Sequence, residues 1–444
     1  MPIYVNSSTP ALVESAMVIS NSTQKEVELA YGTYNLKYYE SILQDTVQAS
    51  FTFIDAGTMG TDGGKGAVDE VPITGSEVFH LKFSDNQGNT LKFEGDNALY
   101  VNDVTPLLDE TTKSLTQLHL VSKEYILNEK VRINSRMDGS ISQHIETILK
   151  TEEKYLYTKK DIHIEETVGE INENPKNKKP FYIMNELSKR GVSATNQEEG
   201  KSAGYFLYET SEGFHFKSID GLLNQDKKLS VIFNESTGQD AIPTGYDVKA
   251  VQYSRNNLNN VQKKLAIGAY TSKVLTFNPF NFEFNVGNPS AFMFEDDYKM
   301  AGDRLPVLNE EFNNDKAKGD FSVTSLQILG VGGMQIGDTE TQLTKSKNID
   351  FNVQQILNQS FMRYNNLFAS QVTITIPGDF SLHAGDAIFV DAPTVDVDVK
   401  NDDLNRESGG LYIIADLAHY LDSTATFTKL NLVRDSFGRK GNHS

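Results

Sequence analysis

The sequence predicts an α+β fold, mainly β, in which two homologous antiparallel β-barrel domains flank a small α/β domain. Three observations lead there. Alternating apolar and polar residues, broken by turn residues, dominate both ends of the chain, and that period of two marks half-buried strands. A helical period replaces it in the middle and again after Asp350. The strand-like segments at the two ends also run in the same order. Val47–Asp55, Thr74–His80, Leu99–Val101 and Leu115–Ser122 are answered by Gln371–Asp379, Ala384–Val390, Leu411–Ile414 and Phe427–Arg434. The spacing from Tyr100 to Thr116 equals that from Tyr412 to Thr428, and Gly75 and Gly385 stand at similar distances before those tyrosines. An internal repeat of this kind constrains architecture more than local propensity does.

In chain order, Ala11–Ser20 and Val27–Tyr34 read as short strands split by the turn Asn21-Ser22-Thr23. A glycine-rich loop runs from Ile54 to Val71. Phe79, Leu81 and Phe83 alternate with His80 and Lys82, and Asp85–Asn89 is a tight turn into Leu91-Lys92-Phe93. These strands make a small antiparallel barrel or sandwich within the first domain, residues 1–135. The middle domain, 136–240, opens with a capping box, Ser140 and Gln143, ahead of a stripe of Ile141, Ile145, Ile148 and Leu149. A second helix starts at Pro180 and stops at Gly191. Tyr205–Tyr208 and Gly213–Phe216 form a hairpin. The second barrel domain spans 241–444, with an irregular excursion over about 286–350. Ala266–Thr271 and Val274–Phe277 echo Ala30–Tyr34 and mark where it begins. Val353, Ile356, Leu357, Phe361, Tyr364, Leu367 and Phe368 give a helix whose stripe packs on the neighbouring sheet.

The 444 residues hold two to four domains. No apolar run approaches the ~20 residues of a membrane span, and the N-terminus has no signal region. The absence of cysteine excludes disulfides and thiolate metal sites. A net charge of −19 is unsuited to gripping nucleic acid, whose affinity comes from Lys and Arg on phosphates.

The chemistry-bearing motifs are weak. The eight histidines (80, 119, 144, 163, 215, 383, 419 and 443) include no helical i, i+4 pair and no zinc-protease spacing. His80, His119 and His215 lie in strand alternation and read as structural or solvent-facing. Gly200-Lys201-Ser202 lacks the earlier glycine of a phosphate loop, since Thr195 occupies that place. Gly63-Gly64-Lys65-Gly66 lacks the Ser or Thr and the helix. The loop bearing Asp391, Asp396, Asp398, Asp402 and Asp403 lacks the spacing of a calcium loop and reads as solvated. The sequence therefore singles out no catalytic, cofactor-binding or metal-ligating residue.

Two stretches carry a family resemblance. Tyr205-Phe206-Leu207-Tyr208-Glu209 with Glu212-Gly213-Phe214-His215-Phe216-Lys217-Ser218-Ile219-Asp220 is one. Val372–Asp379, Ala384-Gly385-Asp386 and the closing strands Gly410–Ile414 and Thr426–Ser436 are the other. They resemble the baseplate hub protein of contractile-tailed bacteriophages, which is related to the N-terminal part of type VI secretion spike proteins. The resemblance implies tail-tube-like barrels and a homotrimer with six barrels in a ring. It further implies a non-enzymatic virion protein of the tail baseplate, assembled in the host cytoplasm. Its partners would be the hexameric tail tube or a tube-initiator protein, the trimeric central spike and other baseplate proteins. Phage DNA would pass through during ejection without specific binding, along sheets lined with acidic residues, and no membrane or cofactor would be involved. Two other readings stand beside it. One is a type VI spike-like component. The other is a virion-associated glycosidase, which needs two carboxylates about 5–10 Å apart.

Overall fold

In the computed structural model, residues 10–57, 66–67, 71–151, 154–194, 203–234, 242–256, 260–278, 282–286, 290–291, 300–306, 308–312, 323–328, 353–392 and 407–439 are described. The first unit contains β1 (Leu12–Ile19), β2 (Glu26–Glu28), β3 (Thr33–Ser41), β4 (Gln48–Asp55), β5 (Val78–Ser84), β6 (Thr90–Phe93), β7 (Leu99–Asp109) and β8 (Ser114–Ser122). They pair in the order β2-β1-β5-β7-β8-β4-β3, with β6 on the side of β5. Alternation explains the core: Phe79, Leu81 and Phe83 of β5 face Phe51 and Phe53 of β4 and Leu118 and Leu120 of β8, all fully buried. Each such ring or branched side chain contributes roughly 1.5–3 kcal/mol by leaving water.

The middle unit follows: α1 (Lys123–Lys130), β9 (Met137–Gly139), α2 (Ile141–Lys150), β10 (Ile162–Ile164), β11 (Ile171–Glu173), α3 (Pro180–Ser188), β12 (Tyr205–Thr210), β13 (Gly213–Ser218) and α4 (Ile219–Leu223). Ser140 caps α2 in a reciprocal box with Gln143, as its sequence signals. The apolar faces of α2 and α3 share one core with Tyr205, Leu207, Phe214 and Phe216 of the hairpin. Gly213 is obligatory: its φ is +125° and a Cβ there would lie 2.2 Å from the carbonyl oxygen of Asp161. Gly191 does not cap α3 in the expected way. The helix ends at Ser188, and Gly191 instead makes room for the Tyr205 ring, 2.7 Å from where its Cβ would be.

The last third holds β14 (Leu229–Ile232), β15 (Val248–Lys249), β16 (Gln252–Asn256), α5 (Val261–Ala266), β17 (Thr271–Asn278), β18 (Glu283–Val286), β19 (Ser290–Ala291), β20 (Val323–Ile328), α6 (Val353–Leu367), β21 (Ser370–Pro377), β22 (Ala387–Asp391), β23 (Gly410–Asp422) and β24 (Thr426–Arg434). Strands β17 to β20 form a separate sheet, on which α6 packs through Leu357 and Phe361 against Val274. Residues 266–277 therefore do not open the second copy. Much of the 286–350 excursion lies outside the described residues.

The repeat is present, and its register is sharper than the sequence spacing indicates. The order β3-β4-β8-β7-β5 returns as β16-β21-β24-β23-β22, antiparallel throughout. Gln48 pairs with Val121 and Gln371 with Val433, which superposes Phe51 on Ile374 and Leu118 on Leu430. Both β7 and β23 carry a β-bulge at the same place, after Val101 and after Ile414. Even hydrogen bonds recur. The amide of Ser76 donates to the Val101 carbonyl and that of Gly385 to Ile414. The Glu77 and Asp386 carboxylates each accept, at 2.8 Å, from the amide three residues earlier, Thr74 and His383.

Two details depart from the expected alignment. Tyr100 sits opposite Val121 and Ile413 opposite Val433, so Tyr100 matches Ile413, while Tyr412 matches Leu99. Ser76, with φ +65°, and not Gly75, is the counterpart of Gly385. The two expected closed barrels are also absent among the described strands. Both copies belong to one open 15-stranded sheet, joined where β3 pairs antiparallel with the second half of β23. A strand that continues past its own unit prefers a neighbour to an exposed edge, since an unpaired edge leaves a row of amides and carbonyls unmatched.

Candidate assembly surface

The joint between the copies is built from seven residue pairs, Asp416–Ser41 through Asp422–Asn35. Glu40 anchors it. Its buried carboxylate accepts from the Tyr38 hydroxyl at 2.8 Å, from the Ser211 amide at 2.9 Å and from the Ala384 amide at 2.9 Å, and pairs with His383 Nδ1 at 3.2 Å. Those partners come from the first copy, the middle unit and the second copy. Burial works against the carboxylate's charge, but His383 and the amides outweigh it and hold Glu40 below the usual range. Burial likewise opposes the charge on His383, and Glu40 reverses this to leave it raised. A second tie runs from the Asp85 turn, whose carboxylate accepts from the Phe380 amide at 2.9 Å.

The middle unit is fixed to the first copy by a buried ion cluster. Lys160 Nζ lies 2.6 Å from Glu209 and 3.0 Å from Glu124. Glu209 also accepts from Ser122 Oγ and the Val47 amide. Burial raises the Glu209 pKa, with Lys160 opposing; the lysine is itself raised because its two carboxylates outweigh its own burial. Gly385 belongs to the docking of the hairpin: its φ is +89°, and a Cβ would meet the Tyr208 hydroxyl at 2.3 Å.

Opposite the two cores, the sheet presents a polar face. Tyr39, Gln48, Asp416, Tyr420, Lys429 and Asn431 line a groove of about 390 Å³ directly over the joint. The face continues through Lys37, Thr373, Thr375, Gln117, Thr105 and Asp103. Its charges are mixed, Lys37 and Lys429 beside Asp103, Asp416 and Asp422.

The structure gives the histidines structural surroundings. His215 is buried between the Tyr208 and His163 rings and bonds Thr210, and burial lowers it to about 3. His419 is fully buried, stacks on Tyr38 and bonds Thr428, and burial takes it to about 3 as well. His119 lies on the polar face opposite Asp103, and His80 alternates outward on β5. His443, residues 63–65 of the Gly63–Gly66 stretch, residues 200–202 and Asp396, Asp398, Asp402 and Asp403 lie outside the described residues. Asp391 is buried, accepting from the Tyr246 hydroxyl at 2.6 Å and pairing with Arg439 at 3.1 Å. Among the described residues no three His, Asp or Glu side chains converge as a metal site, and no helix is long and apolar enough to cross a membrane. Sequence reasoning missed the roles of Glu40, Lys160 and Glu209, because a lone charged residue, in a strand like Glu40 and Glu209 or in a connection like Lys160, carries no local sign of burial.

The fold is similar to those of solved tail proteins. It is similar to the 43 kDa tail protein of prophage MuSo2 from Shewanella oneidensis, with a TM-score of 0.50 and 10% identity over 95% of this chain and 98% of that one. It is similar also to a tail protein of Neisseria meningitidis MC58, with a TM-score of 0.51 and 9% identity over 96% and 97%. In sequence, the chain is similar to a probable baseplate hub protein, gp334, of Vibrio phage KVP40, 20% identical over 428 residues that cover 90% of this chain and 89% of the relative. No protein-family model matches the chain.

Proposed function

We propose that the chain is a structural, non-enzymatic baseplate hub of a phage virion. Three copies would form a ring that joins the hexameric tail tube to the trimeric central spike and lines part of the channel through which DNA leaves. The observation that carries this reading is the duplication of one sheet unit, with its two copies joined edge to edge in a single chain. Three such chains present six like units to a sixfold tube while keeping the threefold symmetry a spike requires. The likeness to a probable hub protein along nearly the whole chain supports the same assignment. Residues 1–135 and 241–444 would form the ring. The middle unit, 136–240, held on their periphery by Glu40 and the Lys160 cluster, would meet other baseplate proteins. The polar face with mixed charge would line the channel. Native mass spectrometry of the purified protein tests this: three chain masses are expected, and a strictly monomeric protein at micromolar concentration overturns it.

A further inference from the structure

His383 lies in the turn between β21 and β22 of the second copy, with a carboxylate at each ring nitrogen. Nδ1 is 3.2 Å from Glu40 of the first copy, and Nε2 is 3.6 Å from Glu212 at the tip of the middle unit's hairpin. A neutral imidazole has one N–H and one lone pair, so it can donate toward one of these groups and not both. The imidazolium donates on both sides. We propose that His383 is a proton-operated clasp: its imidazolium ties the hairpin tip of the middle unit to the joint between the copies, and loss of the proton lets the tip go.

The two carboxylates are unequal, and that decides which contact breaks. Glu40 is buried and also accepts from the Tyr38 hydroxyl and from the Ser211 and Ala384 amides. It stays in place and keeps the remaining N–H. Glu212 is 60% exposed, so water can replace the ring at little cost. With the proton gone, a lone pair faces the Glu212 carboxylate, and the contact becomes repulsive.

The groups packed around the ring leave this proton to His383. On β3, burial raises the Tyr38 hydroxyl and keeps it neutral. On the hairpin, His215 is uncharged, and on β23 so is His419, because burial lowers each to about 3. Ser211 Oγ, 3.5 Å from Nδ1, carries no charge. Lys228, ahead of β14, opposes the charge on His383, but its ammonium lies 2.9 Å from Asp386, whose carboxylate also accepts from the His383 amide. Burial opposes the imidazolium too; Glu40, with Glu212 adding to it, reverses the balance and leaves the ring raised above 6.5. The clasp is therefore closed below the ordinary histidine range and opens as pH rises through that raised value. It acts within a single chain, whether or not the chain enters a ring.

The test follows hydrogen exchange at the Ser211 and Glu212 amides of the full chain from about pH 6 to about pH 9, across the ordinary histidine value, after correction for intrinsic base catalysis. Ring-nitrogen resonances of labelled histidine report the proton. In the wild type, protection of the tip should fall by about two- to fivefold, the worth of a half-exposed ion pair, with the same midpoint as the ring. Glu212→Gln changes an exposed side chain and leaves Glu40 bonded. It should move the ring's midpoint down and abolish the pH response of the tip. His383→Gln should hold the tip at its high-pH exchange rate throughout; if that variant does not fold, Glu212→Gln decides alone. Tip protection that does not follow the ring in the wild type, or an unchanged response in Glu212→Gln, overturns the proposal.

Discussion

The two copies share strand order, the bulge after Val101 and Ile414 and turn bonds, yet β7 has a second bulge before Leu108 that β23 lacks, and their flanks differ. In the first, β3 is paired along both edges and β1 runs antiparallel to β5. In the second, β16 is paired along one edge among the described strands, and the strand beside β22, β14, runs parallel to it. The centre of the unit is thus preserved for packing, while its edges are specialised. One edge pair, β3 with β23, joins the two copies within a single chain.

The largest effect should separate two residues that look equivalent in sequence. Tyr412 is fully buried, with its hydroxyl on the Ser408 carbonyl, whereas Tyr100 is half-buried. Tyr412→Asp puts an unpaired charge into the core and should prevent folding; Tyr100→Asp should cost about 1 kcal/mol. Circular dichroism and urea titration measure both, and equal losses would contradict the pairing of Tyr100 with Ile413 and of Tyr412 with Leu99 as counterparts. Glu40→Ala attacks the joint between the two copies. It strands His383 and three donors in a buried site and should cost about 3–5 kcal/mol in urea unfolding. A loss under about 1 kcal/mol, the size of one ordinary hydrogen bond, would show that the joint does not hold the copies together.

Acid should expose the buried imidazoles next. The unfolded chain protonates His215 and His419 near 6.5 and the folded chain only near 3. Their contribution is complete above 6.5 and falls with decreasing pH by about 1.4 kcal/mol per unit for each ring. The raised His383 acts oppositely, its contribution being full below 6.5 and lost as pH rises through its folded value. Melting temperature should therefore drop between pH 6 and 4, with a shallower acid limb in His419→Gln; an unchanged slope would mean His419 is not held neutral. The smallest effect is a matched pair. Glu77→Ala and Asp386→Ala remove the same turn bond from each copy and should cost about 1–2 kcal/mol apiece. A difference above about 2 kcal/mol, more than one such bond is worth, would show that the copies are not energetically alike.

Much of this was legible in the sequence. Alternation located β5, β8, β21 and β24, the Ser140–Gln143 box located α2, and the order of segments revealed the duplication. The alignment was not, because Tyr100 and Tyr412 come before bulges and after loops of unequal length, so matching spacings fell one residue out of register. Nor was the joint, since Ser41 and Asp416 meet across 375 positions and nothing local to either strand names its partner. The same blindness produced two closed barrels where one open sheet exists. Each copy reads as complete on its own, and only the pairing of β3 with β23 shows where its edge goes.

In the proposed ring, three chains would present six copies of one unit around the axis. Electron microscopy of the purified protein, averaged without imposed symmetry, tests this most directly. The expected particle has six similar lobes around an open centre, with threefold differences at its periphery. A compact particle without a hole, or a ring whose lobe number is not six, would contradict it.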